Sequence, residues 1–218
     1  TLVIRSHGVE QSVINKCKEI NVDFVDATCT FVSKIHRIVS EKSQQGYVTI
    51  IAGDKNHQEV IGIVGHAFGE VYVVANEQEL QELVDLKENF TQKRVIMVSQ
   101  TTFNAKIWEK LQIFLKKVCT NAEIFDTICN ATAMRQKEAY ELSRLSDAVI
   151  VIGGRHSSNT AKLYTVCKAN CDKTYLIETA NELPIDSLNG CENIGVVAGA
   201  STPAGIIKEV IKTMSENL

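Results

Sequence analysis

Two short cysteine motifs are the first candidates for chemistry in this chain. Asp26-x-x-Cys29 and Asp126-x-x-Cys129 each follow an apolar run directly, and the two cysteines lie 100 residues apart. The start of a helix favours the thiolate form of a cysteine, and thiolates from separate segments can bind an iron–sulfur cluster. We therefore predict that Cys29 and Cys129 are metal ligands. The alternative is that both are buried as small apolar side chains, the usual role of a free cysteine.

The other cysteines have no partner at the same spacing, and we expect them to be buried packing residues. They are Cys17, Cys119, Cys167, Cys171 and Cys191. A metal pair at Cys167 and Cys171 is conceivable on a predicted helix, but no second pair of ligands accompanies it.

A second group of candidates consists of polar residues at the predicted ends of strands. The group comprises His57-x-Glu59, Gln100-Thr101-Thr102, Ser157-Ser158-Asn159 and Ser201-Thr202. Backbone N–H groups and the dipole at a helix start favour an anion, so we predict a phosphate or diphosphate site, with His7 and His57 adding imidazole groups. The alternative is that the Ser, Thr and Asn residues only cap their helices.

Glu59 is the candidate proton donor. A carboxyl group held beside an anion and away from water has a raised pKa, which suits it to deliver protons. The alternative is a solvated glutamate in a first helical turn that stabilises the helix dipole. His36, His66 and His156 are assigned no role.

Alternating strands and helices must position these residues. The apolar runs predict strands at 2–4, 22–25, 48–52, 71–74, 95–98, 123–125, 148–152, 174–177 and 194–198. Amphipathic stretches predict helices at 9–20, 31–45, 58–67, 77–86, 104–118, 133–145, 159–170 and 203–215. This pattern is typical of α/β proteins with parallel sheets covered on both faces. Ligands bind beyond the carboxyl ends of such strands.

An internal repeat divides the chain. Gly53 and Gly153, like Thr102 and Thr202, repeat the 100-residue spacing of the cysteines, which predicts two modules at 21–120 and 121–218. Residues 1–20 have the pattern of a module's last strand and helix, with His7 aligned to Thr101 and Ser201. The pattern predicts an earlier module, largely absent from this chain, with a cysteine of its own.

Composition excludes several classes of protein. The chain has 218 residues, a formal net charge of −3 and seven cysteines. A nucleic-acid surface would need a basic excess, and no run approaches the roughly 18 apolar residues of a membrane span. An odd number of cysteines in a chain of this size favours a reducing compartment, and we expect a cytoplasmic protein.

The motifs together resemble the IspH/LytB family of 4-hydroxy-3-methylbut-2-enyl diphosphate reductases. They are SHGV (6–9), DATC (26–29), H-x-E-V (57–60), QTT (100–102), DTICNAT (126–132), RQ (135–136), SSNT (157–160) and GAST (199–202). The resemblance implies a pseudo-threefold trefoil of three α/β modules around a 4Fe–4S cluster. Cys29 and Cys129 would be two of its three cysteine ligands, and the third would be absent from this chain.

The resemblance also implies a role for each candidate residue. His7, His57, Ser157, Ser158, Asn159 and Ser201 would bind the diphosphate of a small allylic substrate. Glu59 would relay protons, and Thr101 would lie beside the substrate hydroxyl. The reaction would be reductive dehydroxylation to isopentenyl and dimethylallyl diphosphate, with electrons from a donor such as ferredoxin or flavodoxin. Two alternatives remain open: a non-enzymatic phosphate- or diphosphate-binding α/β module, and a zinc or dithiol protein.

Overall fold

The computed structural model describes residues 1–218 as an alternation of strands and helices. The strands are β1 (Leu2–Ile4), β2 (Phe24–Asp26), β3 (Val48–Ala52), β4 (Val71–Val74), β5 (Val95–Ser99), β6 (Glu123–Ile124), β7 (Ala148–Ile152), β8 (Thr174–Ile177) and β9 (Ile194–Ala198). The helices are α1 (Gln11–Glu19), α2 (Thr30–Gln44), α3 (Gln58–Val64), α4 (Glu77–Leu86), α5 (Ala105–Val118), α6 (Asn130–Leu145), α7 (Ser158–Lys168), α8 (Ile185–Leu188) and α9 (Ala204–Asn217). Every predicted strand and helix is present, within a few residues of its predicted limits. None of the helices has the length and apolar character needed to span a bilayer.

The strands form three parallel sheets. The first pairs β1 with β2, the second has the order β4-β3-β5-β6, and the third has the order β8-β7-β9. Each neighbouring pair is parallel. The predicted α/β class with parallel sheets is therefore confirmed.

Continuous apolar runs form the central strands because both of their faces are covered. All five residues of β3 are buried, as are all five of β7. In the second sheet Ile51 packs with Ile35 and Val39 of α2. In the third sheet Val149 and Val151 pack on one face, and Ile150 packs with Val210 on the other. Burying one such side chain stabilises the fold by about 1.5–3 kcal/mol, so these strands anchor the sheet ends that carry the candidate residues.

The boundary between the two compact units lies nine residues further along the chain than the boundary predicted from the repeat. The compact units are Thr1–Cys129 and Asn130–Leu218, whereas the repeat placed the boundary between 120 and 121. The difference arises because β6 joins the sheet of β5, just as β2 pairs with β1. Each Asp-x-x-Cys motif therefore closes the sheet of the preceding strands instead of opening the next sheet.

The number of residues between equivalent positions of the two modules varies along the repeat. Ala52 pairs with Ser99 and Ile152 pairs with Ala198, so the offset is 100 residues for the central strands and 99 for the following ones. On the other edge Ala52 pairs with Val74 and Ile152 with Ile177, an offset of 103. The crossover from β7 to β8 is thus three residues longer than its counterpart, and the next crossover is four residues shorter.

The one-residue shift changes which turn residues correspond. A tight turn follows the last strand of each module and is closed by one backbone hydrogen bond. The donor and acceptor residues are Gly8 and Arg5 in the first turn, Phe103 and Gln100 in the second, and Thr202 and Gly199 in the third. His7 therefore matches Thr102 and Ser201. The sequence alignment of His7 with Ser201 agrees with the turns, and its alignment with Thr101 is off by one residue.

Candidate functional site

Both candidate metal ligands follow a strand and precede a helix, as predicted. Cys29 is the N-cap residue of α2, and Cys129 immediately precedes α6. The N–H of Cys29 donates to the Ser6 carbonyl at 3.0 Å, and the N–H of Cys129 donates to the Thr101 carbonyl at the same distance. Cys29 is exposed, Cys129 is half-buried, and both are free thiols. The cysteine motifs are therefore equivalent in backbone geometry as well as in spacing.

The donor chemistry of these two thiols fits an iron–sulfur group, because thiolates are its usual ligands. No three His, Cys, Asp or Glu side chains in the structure are grouped so as to hold a metal ion. The chain thus offers two ligands in matched positions and no third ligand beside them.

The remaining cysteines are mostly buried packing residues. Cys17, Cys119, Cys167 and Cys171 are buried, and Cys191 is half-buried. Burial, with a smaller contribution from Cys171, raises the pKa of Cys167 to about 11. Since a metal ligand must be a thiolate, this environment disfavours a metal pair at Cys167 and Cys171.

Glu59 and Thr101 form a buried pair at the carboxyl ends of β3 and β5. Glu59 lies in the first turn of α3 and is 2% exposed, and Thr101 is 7% exposed. One carboxyl oxygen of Glu59 accepts the Thr101 N–H at 2.6 Å, and the other accepts the Thr101 hydroxyl at 2.7 Å. Glu59 is therefore not a solvated first-turn glutamate.

Burial raises the pKa of Glu59, and the two bonds from Thr101 and the nearby His7 only partly offset that effect. The geometry favours the proton of the neutral carboxyl on Oε2, because the N–H bonded to Oε1 can only donate whereas the hydroxyl bonded to Oε2 can also accept. The Thr101 hydroxyl can then turn to accept it. The pair can hold a proton at Oε2 and pass it through the Thr101 Oγ1.

His57 caps α3 and faces His7. The Nδ1 atom of His57 accepts the N–H of Glu59 at 3.2 Å, so its ring proton resides on Nε2, which can donate to an anion. The rings of His7 and His57 are edge to face with centroids 5.6 Å apart. Two imidazoles and the start of α3 are thus collected beside the Glu59–Thr101 pair.

In the second unit, the candidate anion ligands lie at the start of α7 and in the turn after β9. Ser157 is the N-cap of α7, and its hydroxyl oxygen accepts the Thr160 N–H at 3.4 Å. Asn159 is 8% exposed, and its side-chain nitrogen Nδ2 has no hydrogen-bond partner. Ser158 is half-buried and Ser201 is exposed. Ser157 is therefore a cap, as the alternative required, while Asn159 presents a buried, unpaired donor suited to an anion.

Glycines allow α7 to begin close to the strand ends. A Cβ at Gly153 would lie 2.6 Å from the Thr160 hydroxyl oxygen, and one at Gly199 would lie 2.3 Å from it. Gly153 also has φ +153°, which disfavours other residues. Because a glycine directly follows both β7 and β9, the first turn of α7 packs closely on the carboxyl ends of these strands.

Two further side chains support the site: Gln100, which belongs to the predicted polar group, and Thr127, for which the sequence predicted no role. The Thr127 hydroxyl accepts the Ser99 N–H at 2.7 Å and donates to the Ser99 carbonyl at 2.8 Å. The amide oxygen of Gln100 accepts the Asp54 N–H at 3.2 Å, and its amide nitrogen donates to Thr102 Oγ1 at 3.0 Å. Both tie a candidate loop to the end of β5. Their only sequence signal was a place inside the motifs DTIC and QTT.

Comparison with known proteins gives a consistent result. The model of the LytB protein family matches residues 1–215. A 4-hydroxy-3-methylbut-2-enyl diphosphate reductase of Caldanaerobacter subterraneus subsp. tengcongensis is 44% identical over 211 residues, covering 97% of this chain and 71% of that protein. A protein of the same name from Clostridium tetani is 43% identical over 98% of this chain and 32% of its own length.

Two solved structures are also similar. The E-1-hydroxy-2-methyl-but-2-enyl-4-diphosphate reductase of Plasmodium falciparum has a TM-score of 0.89 at 28% identity, with 97% of this chain and 66% of that chain covered. A second structure, of (E)-4-hydroxy-3-methyl-but-2-enyl diphosphate reductase, has a TM-score of 0.60 at 34% identity and covers 98% and 75%. With the family model spanning nearly the whole sequence, this chain belongs to the LytB family.

Proposed function

We propose that the chain is part of an oxidoreductase that reductively removes the hydroxyl group of 4-hydroxy-3-methylbut-2-enyl diphosphate. Its relatives carry the name of that reductase. The observation that carries the proposal is the buried Glu59 carboxyl, held through both oxygens by Thr101 beside two histidines.

In this proposal the anion of the substrate is bound by individually placed hydrogen-bond donors. The Nε2 proton of His57 and the His7 ring donate to diphosphate oxygens. In the second unit, the buried and unpaired side-chain nitrogen of Asn159 is a donor suited to an anion of the same kind. Ser157, Ser158 and Ser201 supply hydroxyl groups. Directed donors of this kind hold a diphosphate without a basic patch, which agrees with the net charge of −3.

Glu59 supplies the protons. Removing an allylic hydroxyl as water and replacing it by hydrogen consumes two electrons and two protons, one for the water and one for carbon. A carboxyl whose pKa is raised by burial holds its proton at a higher pH than a free glutamate. The Thr101 hydroxyl, bonded to Oε2, positions that proton beside the substrate hydroxyl.

Cys29 and Cys129 would hold a 4Fe–4S cluster together with a cysteine that is not among these 218 residues. When bound, such a cluster supplies Lewis acidity and delivers electrons one at a time. An electron donor such as ferredoxin or flavodoxin and a cytoplasmic location remain predictions.

The first test is Glu59→Gln in the reconstituted holoenzyme. We expect the visible absorption of the cluster to be unchanged and turnover to fall by about 10²–10⁴-fold, the range for loss of a general acid. The unfolding midpoint at pH 7 should not fall, since burial makes the charged form of Glu59 unfavourable.

Glu79→Gln is the matched control, because Glu79 is an exposed glutamate in the first turn of α4. It should leave turnover unchanged. Near-normal turnover of Glu59→Gln would remove Glu59 from the reaction. If anaerobic iron and sulfide produce no visible absorption in the wild-type protein, the non-enzymatic anion-binding module becomes the better description.

A further inference from the structure

A stacked pair of histidines lies beneath the turn that carries His7. His36 on α2 and His66, just after α3, have ring centroids 4.0 Å apart and an interplanar angle of 22°. His36 is 8% exposed and its Nε2 has no hydrogen-bond partner. Neither histidine takes part in the reaction proposed above, so the pair needs another explanation.

The pair contacts the segment that follows His7. The Nε2 atom of His66 is 3.1 Å from the Val9 carbonyl, and because a carbonyl can only accept, that nitrogen must carry the proton. A Cβ on Gly8 would lie 2.6 Å from the Cε1 atom of His36. One ring thus holds the segment by a hydrogen bond, and the other forms the surface on which the turn rests.

The same segment is seated on α3, the helix that carries His57 and Glu59. A Cβ on Gly62 would lie 3.6 Å from Val9, an ordinary contact. A Cβ on Gly65, at the end of α3, would lie 2.4 Å from the Cβ and 2.9 Å from the Cα of Glu10. The backbone after His7 is therefore docked on α3 at a distance that a side chain on Gly65 would not permit.

We propose that His36 and His66 are positioning residues, which fix the His7 turn on α3 and so set the separation of His7 from His57. This inference rests on the proposed function only in taking His7 and His57 as anion ligands. The two rings have different roles in this proposal. His66 donates a hydrogen bond to the Val9 carbonyl, and His36 provides a flat surface that contacts Gly8.

The test compares three variants of the full chain with the wild type. His66→Phe keeps a ring but removes the donor to Val9. His66→Gln keeps an amide donor. Gly65→Ala pushes Glu10 away from α3 and substitutes neither histidine. Gly62→Ala is its matched control on the same helix, because a Cβ there makes only ordinary contacts, at 3.5 Å with the Nε2 atom of His36 and at 3.6 Å with Val9.

Two measurements are made on each variant. Histidine-labelled protein shows whether the rings of His7 and His57 retain their nuclear Overhauser contact, and calorimetry gives the affinity for inorganic pyrophosphate. We expect His66→Phe and Gly65→Ala to lose the ring contact and to weaken pyrophosphate binding about tenfold or more, which is about 1.4 kcal/mol. His66→Gln should recover most of both, and Gly62→Ala should resemble the wild type.

The outcomes separate the two proposals. An unchanged ring contact in both His66→Phe and Gly65→Ala overturns the positioning role. If wild-type protein shows the ring contact but does not bind pyrophosphate, the diphosphate assignment fails, and the ring contact alone decides the positioning role. If one of these two variants does not fold, the other decides.

Discussion

The two Asp-x-x-Cys loops have the same backbone connection but are held in different ways. In the first loop, Asp26 accepts the N–H and the hydroxyl of Thr28, so the loop closes on itself near the surface. In the second loop, Asp126 accepts the indole N–H of Trp108 at 3.1 Å, and Thr127 bonds twice to Ser99. The second loop is therefore fixed by α5 and β5. An identical motif spacing specifies where a cysteine lies but not how firmly it is held.

The loops also differ in the charge of their neighbours. Asp26 interacts electrostatically with His36 and His66, whereas the side-chain donor to Asp126 is a neutral indole. The first loop should therefore respond to pH much more than the second.

The largest expected effect is on acid stability. Burial and the neighbouring His66 lower the pKa of His36 to about 4, and Asp26 opposes this shift. The unfolded chain binds a proton at His36 near pH 6.5 and the folded chain does not, so this contribution to stability is complete above pH 6.5 and is lost as the pH falls towards 4. Relative to His36→Leu, the wild type should lose up to about 3 kcal/mol in that window. Urea unfolding at several pH values measures the difference, and parallel pH profiles would refute it.

The next effect tests the difference in anchoring directly. Thr127→Val keeps the shape of the side chain but leaves the Ser99 N–H and carbonyl without their partner. We expect a loss of about 2 kcal/mol in the free energy of unfolding, as for other unsatisfied buried groups.

Thr28→Val is the comparison in the first loop. Thr28 is half-buried and keeps its N–H bond to Asp26, so the loss should be under about 1 kcal/mol. Equal losses in the two variants would show that the loops are anchored alike.

The last comparison concerns the hydrogen bond from the Trp108 indole. Trp108→Phe keeps a buried aromatic ring, removes the donor to Asp126 and leaves a small cavity, because the phenyl ring is smaller than the buried indole. The lost hydrogen bond contributes about 1 kcal/mol to the expected loss of stability, and we expect a lower iron content after reconstitution because the second cysteine loop is less well held. Tyr72→Phe on β4, which removes a ring hydroxyl bonded to Glu70, should leave the iron content unchanged.

Local pattern was sufficient for much of this structure. Each apolar run predicts a strand, and the central strands β3, β5 and β7 are buried on both faces. The equivalence of Cys29 and Cys129 is visible in the sequence because each cysteine motif follows an apolar run directly. The parallel sheets and the α/β class could be read from the sequence.

Contacts between distant residues could not be predicted. Glu59 and Thr101 are 42 residues apart, and nothing in the sequence around them shows that the two side chains bond to each other. The repeat gives no signal for the His36–His66 stack, because the residues 100 positions later are Gln136 and Val166. The 100-residue spacing predicts a module boundary between residues 120 and 121. In the structure β6 is hydrogen-bonded to β5 and belongs to the sheet of the preceding strands, and the sequence spacing contains no information about that pairing.

The unequal crossovers have a consequence for how such modules diverge. One crossover is three residues longer than its counterpart and the other is four residues shorter. The residues paired at the strand ends and the hydrogen bonds that close the turns nevertheless correspond between the two sheets. Insertions and deletions are therefore tolerated where the chain returns to the start of the next strand, and the rim that carries the polar residues is left intact. Comparisons among such repeats should be anchored on the turns, because a fixed sequence offset will pair the wrong side chains.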